Sequence, residues 1–84
     1  MALVRTIEEV SRQRTMVHGP VKCSCAIFEV EGQHYLQLDT FGSRTRKLKN
    51  KVSQALQFDR ESARRLRMLL DKAFPELGAE SRHS

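Results

Sequence analysis

The chain has 84 residues, room for a single domain with a thin core. Lys and Arg number 15 against 10 Asp and Glu, a formal net charge of +5, which points to an acidic partner and says nothing about fold. No apolar run approaches the roughly 20 residues of a membrane span, and two cysteines make no disulfide framework.

In chain order, residues 3–14 read as a short helix. Leu3, Ile7 and Val10 share one face, and Thr6 with Glu9 fits a capping box. A helix of this length is marginal alone, so the expectation is that it serves a protein partner. Arg5, Glu8 and Glu9 deny Met1–Val10 the apolar region of a secretion signal, which leads to the expectation of a cytoplasmic protein.

Thr15–His18 is a candidate strand ended by the turn pair Gly19-Pro20. Val21–Val30 is a stronger one. Val21, Cys23, Cys25 and Ile27 alternate, then the phase slips to Phe28 and Val30, which predicts a bulge. Cys23 and Cys25 fall on one face too far apart for an easy bridge and read as small buried apolar residues. Glu31-Gly32-Gln33 is a hairpin turn. From His34 to Phe41, Leu36, Leu38 and Thr40 take one face, and Tyr35, Gln37, Asp39 and Phe41 the other.

Residues 44–51 place five cations in eight positions: Arg44, Arg46, Lys47, Lys49 and Lys51. Val52, Gln54, Leu56 and Phe58 then alternate as a fourth strand. Asp59 is a good N-cap for a helix to about Ala73, with Ala63, Leu66, Leu69, Leu70, Ala73 and Phe74 as its apolar stripe. Pro75 stops it, and the polar residues that follow read as a loose tail.

The fold class expected is α+β. A curved antiparallel meander of three to four strands is backed by the C-terminal amphipathic helix, with a short N-terminal helix. The whole of 1–84 forms one domain: a helical segment at 1–14, a sheet-plus-helix core at 15–75 and a flexible tail at 76–84. Such a sheet needs cover on one face only, which leaves the other for function.

Catalysis has weak support, and no enzyme is expected. His18, His34 and His83 sit in no nucleophile-and-base pattern, and Asp39 has no second carboxylate nearby in sequence. A zinc set drawn from Cys23, Cys25, His18 and His34 lacks the knuckle spacing structural zinc favours, so neither metal nor cofactor is expected. The row Arg60, Arg64 and Arg67 reads as a solvated helix face.

The basic segment is the strongest signal, because concentrated like charge favours an anion that neutralises it. If Leu36 and Leu38 pack on the helix, Tyr35 and Phe41 stand on the open face with Gln37. Aromatics beside cations form the surface on which single strands stack. Ordinary cross-strand pairing or a dimer core is the alternative for these rings.

Gln33-His34-Tyr35-Leu36-Gln37-Leu38-Asp39-Thr40-Phe41, the basic segment, Lys51-Val52-Ser53-Gln54-Ala55-Leu56, and the helix with Leu66 and Leu69-Leu70 resemble the positive-cofactor-four-like family of transcriptional coactivator and single-strand DNA-binding domains. The resemblance covers about half the chain. It implies a curved four-stranded sheet backed by a helix, a homodimer formed through the C-terminal helices, and a sheet surface that holds single strands. By it, Arg44, Arg46, Lys47, Lys49 and Lys51 match the family's basic loop and strand start, and Tyr35 and Phe41 its aromatic strand. Val52 stands where the family usually has Gly, and the Trp often found near its helix start is missing here.

The reading is therefore a non-catalytic protein that binds single-stranded nucleic acid, DNA ahead of RNA, with little sequence preference. Its candidate interface is Lys22, Tyr35, Gln37, Phe41, Arg44, Arg46, Lys47, Lys49 and Lys51, and its setting transcription or DNA processing. The competing reading is a protein-interaction module or accessory subunit that docks an acidic partner.

Overall fold

A computed structural model describes residues 1–42 and 52–81, with the backbone alone for 79–81. The chain is α+β. Strands β1 (Ala2–Val4), β2 (Cys23–Val30), β3 (Gln33–Phe41) and β4 (Val52–Phe58) form one sheet in the order β1-β4-β3-β2, followed by helices α1 (Arg60–Ala73) and α2 (Glu76–Ser81).

β2, β3 and β4 pair antiparallel in sequence, while β1 pairs parallel with β4. The sheet is therefore mixed, not the wholly antiparallel meander expected. The helix expected at 3–14 does not form. Residues 2–4 gain sheet bonds along the free side of β4, which a marginal helix cannot match. Thr6 and Glu9 make no capping box; Glu9 instead pairs with Lys72 of α1, Nζ to Oε1 2.9 Å. Ile7 is half-buried and its carbonyl accepts from Arg65 Nε at 3.3 Å, so the segment after β1 runs along one flank of α1. Thr15–His18 is not a strand either; residues 11–22 are exposed and irregular.

β2 and β3 are joined by the two-residue turn Glu31-Gly32, with φ of +50° and +79°. Two positive φ values in succession make the mirror-image turn whose twist matches that of the strands. The pairing runs without a break from Val30↔Gln33 to Cys23↔Thr40. The bulge expected near Ile27 is absent, and both phases of β2 are apolar because each serves a different face. The irregularity lies instead between Thr40 and Phe41, where β3 meets β4.

The register divides the side chains. Val4, Phe58, Leu56, Leu36, Leu38, Ile27 and Cys25 share one face; Leu3, Gln57, Ala55, Gln37, Asp39, Tyr35, Phe28 and Ala26 share the other. α1 lies on the first. Its start is fixed by a reciprocal cap: Ser62 N donates to Asp59 Oδ1 at 2.9 Å, and Asp59 N donates to Ser62 Oγ at 3.0 Å. Phe74 closes the helix through its N–H to the Leu70 carbonyl, 2.8 Å. The tail expected to be loose from Glu76 contains α2.

The core is thin. Ala55 and Phe58 are the hydrophobic residues buried among those described, together with the capping Ser62. Phe74, expected inside, is 50% exposed, and Ile27 is 77% exposed on the helix-bearing face. Cys23 and Cys25 are exposed free thiols, a correction that follows from their place on an outer strand that α1 does not reach.

Candidate nucleic-acid interface

The helix-free face of the sheet carries the aromatic surface. Because the turn at Glu31-Gly32 sets the register, Phe28 stands directly opposite Tyr35. Their rings stack with centroids 5.6 Å apart and planes 24° from parallel. Beside them runs a polar chain across three strand positions. Gln57 Nε2 donates to Gln37 Oε1 at 2.8 Å, and Gln37 Nε2 donates to Asp39 Oδ1 at 2.9 Å. Each amide keeps a second N–H, and Asp39 keeps a second oxygen, so the chain still offers donors and acceptors to a base edge.

Two shallow depressions flank this chain. One of about 230 Å³ lies among Leu3, Phe28, Val30, Tyr35 and Gln57. One of about 260 Å³ lies among Met1, Ala2, Leu3, Gln37, Ala55 and Gln57. Both fall below the roughly 300–1,000 Å³ of enclosing small-molecule pockets. They suit a flat ring laid on a surface better than a molecule engulfed.

Of the residues expected at the site, Tyr35 and Gln37 are brought together on this face. Phe41 lies past the irregularity of β3, opposite Val52. Lys22 is exposed, and its carbonyl accepts from Phe41 N at 3.1 Å, which sets Lys22 beside Phe41 at one end of the sheet. Arg44, Arg46, Lys47, Lys49 and Lys51 lie outside the described residues. The chain enters and leaves that segment at Gly42 and Val52, at the same end as Lys22.

Phe28, Gln57 and Leu3 were missed by the sequence reading. Phe28 was legible: counting outward from a two-residue turn, Val30↔Gln33 gives Phe28↔Tyr35. Assuming a bulge hid it. Gln57 follows from the same count carried to β4, whereas Leu3 depends on a parallel pairing that no local signal announces. Asp39 accepts from Gln37.

A larger concavity lies on the opposite face. A groove of about 570 Å³ between α1 and the sheet is lined by the apolar Ile27, Leu36, Phe58 and Ala63, by Tyr35, and by Arg60, Arg64, Arg67, His34 and Asp59. Arg64 is engaged at the surface by Glu61, Nη1 to Oε1 3.0 Å. Asp59 at the groove's end has its carboxyl held below the usual range, first by the Ser62 backbone N–H and also by Ser62 Oγ and Arg5.

Among the described residues no group of three or more His, Cys, Asp or Glu is placed to hold a metal, and no helix is long and apolar enough to cross a membrane. Comparison with family models, with curated proteins and with solved structures finds no match to this chain.

Proposed function

We propose that this is a non-catalytic protein that binds single-stranded nucleic acid, DNA ahead of RNA, across the helix-free face of its sheet. The observation that carries the reading is the Phe28–Tyr35 stack standing on that face beside the Gln57–Gln37–Asp39 chain. Stacking on aromatic rings is tolerant of sequence because every base has a π-face. It also requires unpaired bases, which a duplex does not present. Lys22 stands exposed at the end of the sheet from which the chain leaves at Gly42 and returns at Val52, so the strand's backbone would track that end, with the cations from Arg44 to Lys51 added on the grounds of sequence. The family resemblance and the net charge of +5 point the same way. We further propose that the working form is a homodimer, since the exposed apolar flank of α1, with Leu70 at 44% and Phe74 at 50%, asks for cover.

The test is fluorescence anisotropy with a labelled single strand of about 20 nucleotides and its duplex, over a salt series. The expectation is tighter single-strand binding and a slope of log K against log salt near −3.5 for about five phosphate contacts. Replacing Arg44, Arg46, Lys47 and Lys49 with Ala should flatten that slope. Equal, weak binding of strand and duplex would overturn the reading.

One observation favours a second reading. The arginine-lined apolar groove fits an acidic amphipathic segment of a protein partner. In that case Arg60→Glu and Arg67→Glu abolish capture of the partner while Phe28→Leu, outside the groove, leaves it intact.

A further inference from the structure

β2 is the outermost strand on its side of the sheet, and every residue of Cys23–Val30 is exposed except the half-buried Phe28. Open edges of this length usually carry a Lys, a Pro or a bulge that discourages pairing. β2 has none of these. Its only charge is Glu29, its register with β3 is unbroken, and both its faces are apolar.

Two observations fix which backbone groups face outward. The Phe41 N–H bonds the Lys22 carbonyl at 3.1 Å, which makes 22 and 41 a hydrogen-bonded pair. The two-residue turn likewise closes on Val30 and Gln33. Antiparallel bonding alternates. The even-numbered residues of β2 therefore bond β3, and the N–H and C=O groups of Cys23, Cys25, Ile27 and Glu29 point to the open edge.

We propose that this edge pairs antiparallel with β2 of a second copy, about a two-fold axis perpendicular to the sheet at Ala26, to make one continuous eight-stranded sheet. Such an axis keeps each residue's face, so residues that meet must have numbers with an even sum. Centring on Ala26 matches all four outward residues: Cys23 meets the partner's Glu29, and Cys25 meets the partner's Ile27, with the reciprocal pairs by symmetry. That gives about eight new backbone hydrogen bonds.

Self-complementarity supports a second copy as the occupant. The one charge of the edge, Glu29, meets the partner's Cys23 and not a like charge. The buried hydrophobic residues among those described are Ala55 and Phe58, a core thin enough for a partner to add to. The two-fold also sets both α1 helices on the same side. Ala63 and Arg67 line the groove beside Ile27, and Leu70 and Phe74 continue that flank at helical spacing. Cys25 and Ile27 of both copies thereby form one apolar strip between the two helices, in which Ile27, exposed by 77% in one copy, gains the partner's Cys25 as a neighbour.

The pairing does not depend on the nucleic-acid reading, but it deepens it. The helix-free faces fuse into one surface. The two Phe28 residues lie four positions apart across the axis, about 13 Å along the strands, so the aromatic stacks of both copies share one platform.

The test uses the full chain with Cys23→Ser and Cys25→Ser. In that background Ala26→Cys meets itself on the axis, at about 4.5 Å between Cα atoms, within disulfide range. Mild oxidation should give a covalent dimer on a non-reducing gel, and Ser24→Cys, about 13 Å from its copy, should not. Ile27→Pro removes only an outward N–H and should shift the sedimenting species from dimer to monomer with its circular dichroism retained. A monomeric native chain at micromolar concentration overturns the pairing. So does a dimer that survives Ile27→Pro and resists cross-linking through Ala26→Cys. Anisotropy on the same variants separates the two proposals: a cross-linked dimer that binds no strand sinks the nucleic-acid reading alone, and a monomeric native chain that still binds one sinks the pairing alone.

Discussion

Replacing Phe28 and Tyr35 with Leu, singly and together, separates what the stack does for the sheet from what it does for a ligand. Leu keeps apolar bulk and removes the π-face. Rings with centroids 5.6 Å apart and planes 24° from parallel are worth about 0.5–1.5 kcal/mol beyond their burial. A double-mutant cycle in chemical denaturation should return a coupling of that size. Stacking of a base is worth about 1–3 kcal/mol, so each single variant should bind a single strand about 5–150-fold more weakly. The rings carry no charge, so lines of log K against log salt for the variants should run parallel to that of the native chain. Loss of a phosphate-contacting cation instead changes the slope by about 0.7 per contact. Folded Leu variants that bind within twofold of the native chain would refute the assignment and leave the rings as cross-strand packing.

Ser62→Ala removes one half of the cap at α1 from a buried position and should cost about 1 kcal/mol, read as a fall in Tm of about 4–8 °C for a domain of this size. Glu31 sits at φ +50°, a conformation that is costly for most side chains and easier for Asn; Glu31→Asn should raise stability by about 0.5–1 kcal/mol in denaturant titrations. The carboxyls of Glu9 and Asp59 are both held below their ordinary values, Glu9 first by the hydrogen bond from Lys72 and Asp59 first by the Ser62 backbone N–H. Folded-state values lower than unfolded ones mean a contribution present in full above the unfolded carboxylate range near 4. It is lost as pH falls through the folded values. Stability should thus be level from neutral pH to about 5 and decline below about 4, and Lys72→Met should make the acid decline shallower.

How much of this was legible in the sequence depends on how local each signal was. Asp59, the apolar stripe of α1 and Pro75 lie within or beside one helix, and the helix formed where they placed it. The alternation of Tyr35 and Gln37 against Leu36 and Leu38 put the right side chains on the helix-free face. β1 was not legible, because its three residues owe their conformation to the side of β4, more than fifty residues away. The periodicity of Leu3, Ile7 and Val10 was real, but a helix there lacks length. The exposure of Cys23 and Cys25 was misread for a related reason: alternation shows which face a side chain takes, not whether anything covers that face. α1 is one helix on a four-stranded sheet and leaves β2 bare.

That shortage of cover makes stability and pairing one equilibrium, and gives the pairing a thermodynamic signature. A chain whose buried hydrophobic residues, among those described, are Ala55 and Phe58 has little to hold it together alone. If the missing cover is a second copy, unfolding takes one dimer to two chains, and mass action enters the melting temperature. A tenfold dilution then costs about 1.4 kcal/mol per dimer, about 0.7 per chain. At 4–8 °C per kcal/mol this lowers Tm by about 3–6 °C. A chain stable by itself melts at the same temperature at every concentration. Calorimetry over a hundredfold range of dilution therefore decides between a thin core that suffices and one that is half of a shared core. Ile27→Pro, which blocks the edge without touching Phe58, should melt lower and lose the dependence on concentration.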